Sequence, residues 1–333
     1  MNRIWTSLLT ASLMSLTIHA HAATLLVGSY TDGASQGIYR YGFDEKTGHI
    51  DPSPQQVVES VSPSWLVLSA DQRQLFAVNE TPKGGVEQFR PSVQKDEIKL
   101  LNQVPSQGDE PTHASLSQDQ RYLFVANYAV KPDPGGSLVV VPVAKDGKLK
   151  PVVQQARHKG ERGSTPERQA GAHVHSLVLS PDGRHLYASD LGADKVFIYR
   201  YDGASADHPL TPAIPASVDL PPGSGPRHLL FDAKGRHAYL TLEMSAEVVM
   251  FDVQEGNLVE RQRLPLTESK EAAAKAAGGL HLSADGRFLY VSNRGTANEI
   301  VAFSVGKQDG QLAFLQRRSV DGGSSPRVRP RPE

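Results

Sequence analysis

Residues 173–190 read HVHSLVLSPDGRHLYASD: an apolar run, the tight polar turn Pro181-Asp182-Gly183, and a second apolar run. Two short runs of strand character on either side of such a turn specify a β-hairpin. The pattern returns as PSWLVLSADQRQLFAVNE at 63–80, PTHASLSQDQRYLFVANY at 111–128, PRHLLFDAKGRHAYLTLE at 226–243 and AGGLHLSADGRFLYVSNR at 277–294. The turn arginines, Arg73, Arg121, Arg184, Arg236 and Arg287, stand 48, 63, 52 and 51 residues apart. A third alternating run follows each hairpin, at 86–89, 137–141, 195–199, 247–251 and 299–303, and a more polar fourth closes the unit, as at 312–316. Four antiparallel strands repeating at a period of about fifty residues predict an all-β β-propeller, its blades set radially around a central channel.

Half a unit precedes the first full copy. Residues 25–30 match the second strand of the repeat and 37–41 the third, so the first blade lacks its innermost strand. The count is six blade units, the first incomplete, in one domain over residues 23–327. Residues 268–277 are the one stretch that reads as helical.

Outside the propeller, Arg3, an apolar stretch over 4–18 and the small-x-small site Ala20-His21-Ala22 have the order of a cleavable secretory signal. Residues 1–22 are therefore expected to be removed and the mature chain to be periplasmic. The apolar run is shorter than the roughly 20 residues a membrane span needs. The Pro- and Arg-rich tail at 328–333 is expected to be disordered. Of the 333 residues 39% are hydrophobic, enough for a large core, and a formal net charge of −1 argues against a nucleic-acid partner. Cysteine is absent, which excludes disulfides and thiolate metal sites.

Hairpin geometry locates a functional rim. The first strand runs into the turn and the second runs back, so the start of one lies beside the end of the other. Reading these positions off pairs Trp65 with Glu80, His113 with Tyr128, His173 and His175 with Asp190, Arg227 and His228 with Glu243, and Gly279 with Arg294. Architectural residues repeat with the blades, as Asn79, Asn127, Asp190 and Asn293 nearly do, and these are expected to make strand-end hydrogen bonds. The ionisable rim residues differ from blade to blade, which is how a site assembled from several blades looks. His173-x-His175 is half of a metal-ligand pattern, but no second half stands beside it, and no metal is expected.

At these residues the chain resembles the seven-bladed lactonase family, which includes propeller-type 6-phosphogluconolactonases and fungal carboxy-muconate cyclases. The resemblance rests on His173-Val174-His175-Ser176, the run 189–196, Gly225-Pro226-Arg227-His228, Leu242-Glu243 and Ser292-Asn293-Arg294-Gly295, in order along the chain. It implies a catalytic group of His175, Arg227, Glu243 and Arg294, and the rim positions His113, His173, His228 and Glu80 are the expected substrate-binding neighbours. It also implies a small-molecule lactone as substrate and no cofactor. Lactone hydrolysis needs a base for water and cations for the oxyanion. Glu243 and His175 both suit the first role, Arg227 and Arg294 the second. A lactone-forming cycloisomerase and a non-catalytic binding propeller are the alternatives. Ser325-Pro326-Arg327 resembles the start of another repeat with no apolar hairpin after it, so an open ring with exposed edges is expected.

Overall fold

The computed structural model describes residues 23–92, 97–128, 136–158, 163 and 165–320. The expected signal segment, the Arg-rich tail and the repeat start at 325–327 lie outside these residues. Among the described residues six antiparallel sheets follow one another, one three-stranded and five four-stranded. The first consists of Ala23–Gly28, Gly37–Phe43 and Gln56–Glu59, and among the described residues it has no inner strand, as the half-repeat predicts. The inner strands of the other blades are Trp65–Leu68, Pro111–Leu116, Val174–Leu179, Pro226–Phe231 and Ala277–Leu282. Each is packed beside the next.

Strand alternation sends one set of side chains toward each neighbouring blade, so the cores lie between sheets. Leu26, Ile38 and Val58 of blade 1 meet Leu75, Ala77 and Phe89 of blade 2. Four further clusters join blades 2 to 6 in succession, centred on Phe76, Phe124, Phe251 and Phe303 in turn. Each of these fully buried side chains contributes roughly 1.5–3 kcal/mol by leaving water. Among the described residues no such cluster joins blade 6 to blade 1. Val27 and Val57 at one end, and Tyr290 and Ile300 at the other, lie on the outward faces and are exposed.

The hairpin turns show why the repeat reads as it does. Asp182 accepts from the Ser180 hydroxyl and the Arg184 amide, and the next residue is left-handed: Gly183 at φ +70°, Gly235 at +66° and Gly286 at +69°. Blades 2 and 3 place Gln72 and Gln120 there, at φ +57° and +56°. A residue with a Cβ is strained in this region by about 1–2 kcal/mol. Gln120→Gly is therefore expected to stabilise the protein by roughly 0.5–1 kcal/mol once glycine's greater unfolded-state freedom is subtracted. The urea midpoint should rise with an unchanged slope; a fall would contradict this account.

Residues 268–277 correct the helical expectation, for only Ala272–Ala274 form a turn of 3₁₀ helix and strand begins at Ala277. An isolated ten-residue helix is marginal in water. Here its carbonyls are drawn to the end of blade 6 instead: Ala273 accepts from the Thr296 amide, Ala274 from Asn293 Nδ2 and Ala276 from the Arg294 amide. The strand-end residues behave as expected. Asn79 Nδ2 donates to the Val61 carbonyl, Asn127 Nδ2 to Ser106, and Asn293 Oδ1 accepts from the Ala276 amide.

Candidate functional site

Four of the five complete blades carry the same irregularity near the start of the inner strand. The register shifts between Pro111 and His113, between Val174 and Ser176, between Pro226 and Leu229, and between Ala277 and Leu280. An extra residue at each place makes a β-bulge, which breaks strict alternation and re-aims side chains. The consequence is chemical. Arg227 and His228 are neighbours in sequence yet enter one cluster, with the Arg227 guanidinium 3.3 Å from the His228 ring nitrogens.

Glu243, at the end of the adjacent strand, is the centre of that cluster. Its Oε2 accepts from Arg227 Nε at 2.8 Å and lies 3.0 Å from an Arg294 nitrogen, while Oε1 accepts from Arg168 at 2.7 Å. His175 Nε2 stands 3.9 Å from Oε2. Three of the four residues chosen as catalytic, His175, Arg227 and Arg294, thus converge on the carboxylate of the fourth, Glu243. Three guanidiniums against one carboxylate leave a local excess of positive charge, which suits an anion or a developing oxyanion.

An aromatic wall flanks the charges. The ring of His228 lies 5.1 Å from Trp65, 5.6 Å from His113 and 5.2 Å from His175, measured between centroids. Tyr128 meets His175 edge-on at 5.6 Å. His113 Nδ1 accepts from the Leu177 amide, so its proton sits on Nε2. His173 is set one layer back: its ring stacks on Tyr128 and its Nδ1 donates to the Tyr128 carbonyl. Tyr128 therefore stands between His173 and His175, and the two imidazoles do not form a common ligand pair. Glu80 accepts from the Tyr30 hydroxyl at 2.9 Å, and Tyr30 lies near enough to Arg227 to act on its charge.

Protonation follows from burial and charge. Burial and the nearby Arg227 charge hold His113 at about 3. His175 and His228 are pushed well below the ordinary imidazole value by burial first and Arg227 second, with Glu243 opposing the fall at His175. All three rings are neutral at neutral pH. Burial alone would raise the Glu243 carboxyl, but the charges of Arg227, Arg294 and Arg168 outweigh it and keep the group far below the usual carboxylate range. Burial and repulsion from Arg294 lower Arg227 to about 10, which leaves it charged.

Arg168 is the functional candidate that sequence reasoning missed. It lies outside the hairpin repeat, in the turn 165–169, where its amide and that of Gln169 both donate to the Thr165 carbonyl. Gln169 Nε2 fastens this turn to the Leu191 carbonyl, and Arg168 also engages Tyr128. The signal lay in the spacing. The interval of 63 residues between Arg121 and Arg184 exceeds the other three, and the surplus includes this turn.

The family described as a seven-bladed β-propeller lactonase matches residues 24–328. A 6-phosphogluconolactonase of Bacillus subtilis is 30% identical over 300 residues, covering 89% of this chain and 81% of its own. A periplasmic gluconolactonase of Pseudomonas aeruginosa has a solved structure similar at a TM-score of 0.85 and 48% identity, covering 90% of this chain and 83% of that one. A putative 6-phosphogluconolactonase of Bacteroides fragilis gives a TM-score of 0.82 at 35% identity, over 89% and 82% of the two chains.

Proposed function

The chain belongs to the family of seven-bladed β-propeller lactonases, and on that footing we propose that it hydrolyses a carbohydrate lactone at the Glu243 cluster, in the central channel of the propeller. The observation that carries this reading is the convergence of Arg227, Arg294 and Arg168 on Glu243 with a neutral imidazole, His175, at 3.9 Å. In the proposed reaction water attacks the lactone carbonyl while His175 takes its proton. Arg227 and Arg294 hold the oxyanion. The ring C–O bond then breaks, the leaving alkoxide recovers the proton from His175, and a hydroxy acid results.

His175 is the better base of the two carboxyl and imidazole candidates. Every strong contact of Glu243 favours its anion and so reduces its pull on a proton. His175 is also depressed, but part of the cause is repulsion from Arg227. An oxyanion on Arg227 would cancel that repulsion as the proton arrives, and Glu243 would stabilise the imidazolium. Proton affinity at His175 thus rises where the transition state needs it.

The sign of the pH dependence follows. A base with a lowered pKa stays unprotonated at neutral pH and loses function only as pH falls through that lowered value. kcat/KM should be level from about pH 7.5 to about pH 5.5, a range in which an ordinary histidine near 6.5 would titrate. An acid limb centred near an ordinary imidazole value would contradict the assignment. Arg227→Ala should lower turnover about 10²-fold, and Arg294→Ala about tenfold because its side chain is half exposed and its charge better screened.

The substrate we favour is an unphosphorylated sugar lactone met outside the cytoplasm. The leader-like residues 1–22 and the periplasmic gluconolactonase of Pseudomonas aeruginosa support export. Among the described residues no helix is long and apolar enough to cross a membrane. Protein recovered from the cell envelope should have the intact mass of a chain starting at Ala23; a mass retaining Arg3 would overturn the export reading. The activity is tested by acid release from a panel of sugar lactones, with and without a 6-phosphate, beside a muconate. Turnover of the muconate alone would favour the cycloisomerase, and binding without turnover the scaffold.

A further inference from the structure

Blade 4 departs from its neighbours at the strand-end position. Blades 2, 3 and 6 place an amide there, Asn79, Asn127 and Asn293, whereas blade 4 places the fully buried carboxylate of Asp190. Its Oδ1 accepts three backbone donors, from His173 at 2.7 Å and from Gly192 and Ala193 at 3.1 Å each. Its Oδ2 lies 2.7 Å from His158 Nδ1, and His158 Nε2 lies 2.9 Å from the Tyr199 hydroxyl. The carboxylate acts as acceptor throughout, so His158 donates from Nδ1, and its Nε2 pairs with the Tyr199 hydroxyl. Burial raises the Tyr199 phenol, which keeps its proton in place. The His158 ring also stacks on Phe197 at 3.7 Å, and the residue is itself buried.

An amide suffices to end the strand in three other blades, so end-capping alone does not account for a buried ionisable trio. What distinguishes blade 4 is its cargo. Asp190 grips the amide of His173, two residues before His175 and directly before the bulge. It also grips the turn after Leu191, whose carbonyl anchors Gln169 beside Arg168. Two members of the cluster thus hang from one carboxylate whose fourth donor is His158.

We infer that His158, braced by Tyr199, is a positioning residue that sets His175 and the Arg168 turn through Asp190. The inference rests on the lactonase reading for its kinetic consequence, but its structural consequence is separate. A misplacement of reacting groups by about 1 Å is enough to reduce turnover substantially.

The test compares His158→Phe, which keeps the stack on Phe197 and removes both hydrogen bonds, with His158→Asn, whose amide nitrogen can still donate to Asp190. Tyr199→Phe is the milder control, removing the brace and leaving Asp190 its donor. On glucono-1,5-lactone, His158→Phe should lower kcat about tenfold with KM within about twofold, and His158→Asn should restore most of the loss. Parent kcat in a folded His158→Phe variant would overturn the inference, as would a loss that tracks the folded fraction or no rescue by asparagine. Side-chain NMR of histidine-labelled protein, recorded without substrate, distinguishes failure of this inference from failure of the lactonase reading. In His158→Phe the His175 ring signals should shift or broaden while those of His113, which makes no ring contact with His175, hold. Unmoved His175 signals would overturn the inference whatever the activity.

Discussion

Glu243→Gln is expected to lower lactone turnover about 10³-fold, while the substitution changes the side chain's volume very little. The amide keeps the hydrogen-bonding shape but removes the one negative charge against which Arg227, Arg294 and Arg168 are balanced. Two effects then add. The His175 imidazolium loses the carboxylate that would stabilise it, so proton abstraction becomes harder. The guanidiniums, no longer held on a carboxylate, lose the geometry in which they receive an oxyanion. Removing one partner of a buried charge pair also costs about 3–5 kcal/mol of stability in typical cases. Circular dichroism must therefore accompany the kinetics, and a folded variant with parent turnover would refute the role given to Glu243.

His175→Ala should be comparably severe, with turnover reduced about 10²–10⁴-fold, the range typical of a lost general base. The ring is buried and, among the described residues, its Nδ1 has no hydrogen-bond partner. Truncation removes a proton acceptor without breaking a network that holds the fold. The loss should therefore appear in kcat with little change in melting temperature. Partial rescue by added imidazole would identify the missing function as proton transfer. A variant that unfolds at much lower temperature, with kcat per folded molecule unchanged, would make His175 structural.

The architecture was legible because it repeats. Each hairpin carries its own turn signal, and alternation such as Leu289-Tyr290-Val291 assigns one face to the neighbouring blade without tertiary information. The positions of Arg227, Glu243, His175 and Arg294 followed from hairpin geometry and coincided with the family pattern. What escaped was whatever departs from the repeat. The bulges are invisible to a period-2 reading, so nothing foretold that Arg227 and His228 would share a cluster or that Tyr128 would separate His173 from His175. Arg168 reaches Glu243 from a turn outside the hairpin repeat, and only the long second interval hinted at it. The alanine-rich run before blade 6 misled because helix propensity is a weak prior once neighbouring strand ends claim the carbonyls.

The central claim is that His175 and Glu243 act as one unit in lactone hydrolysis. It is tested most directly by rates of acid release from glucono-1,5-lactone for the parent, His175→Ala, Glu243→Gln and the double variant. Residues that serve one step are strongly non-additive. The double variant should hydrolyse the lactone no more slowly than the slower single variant. If the two losses multiply, or if neither single variant falls below the parent rate, the account is contradicted.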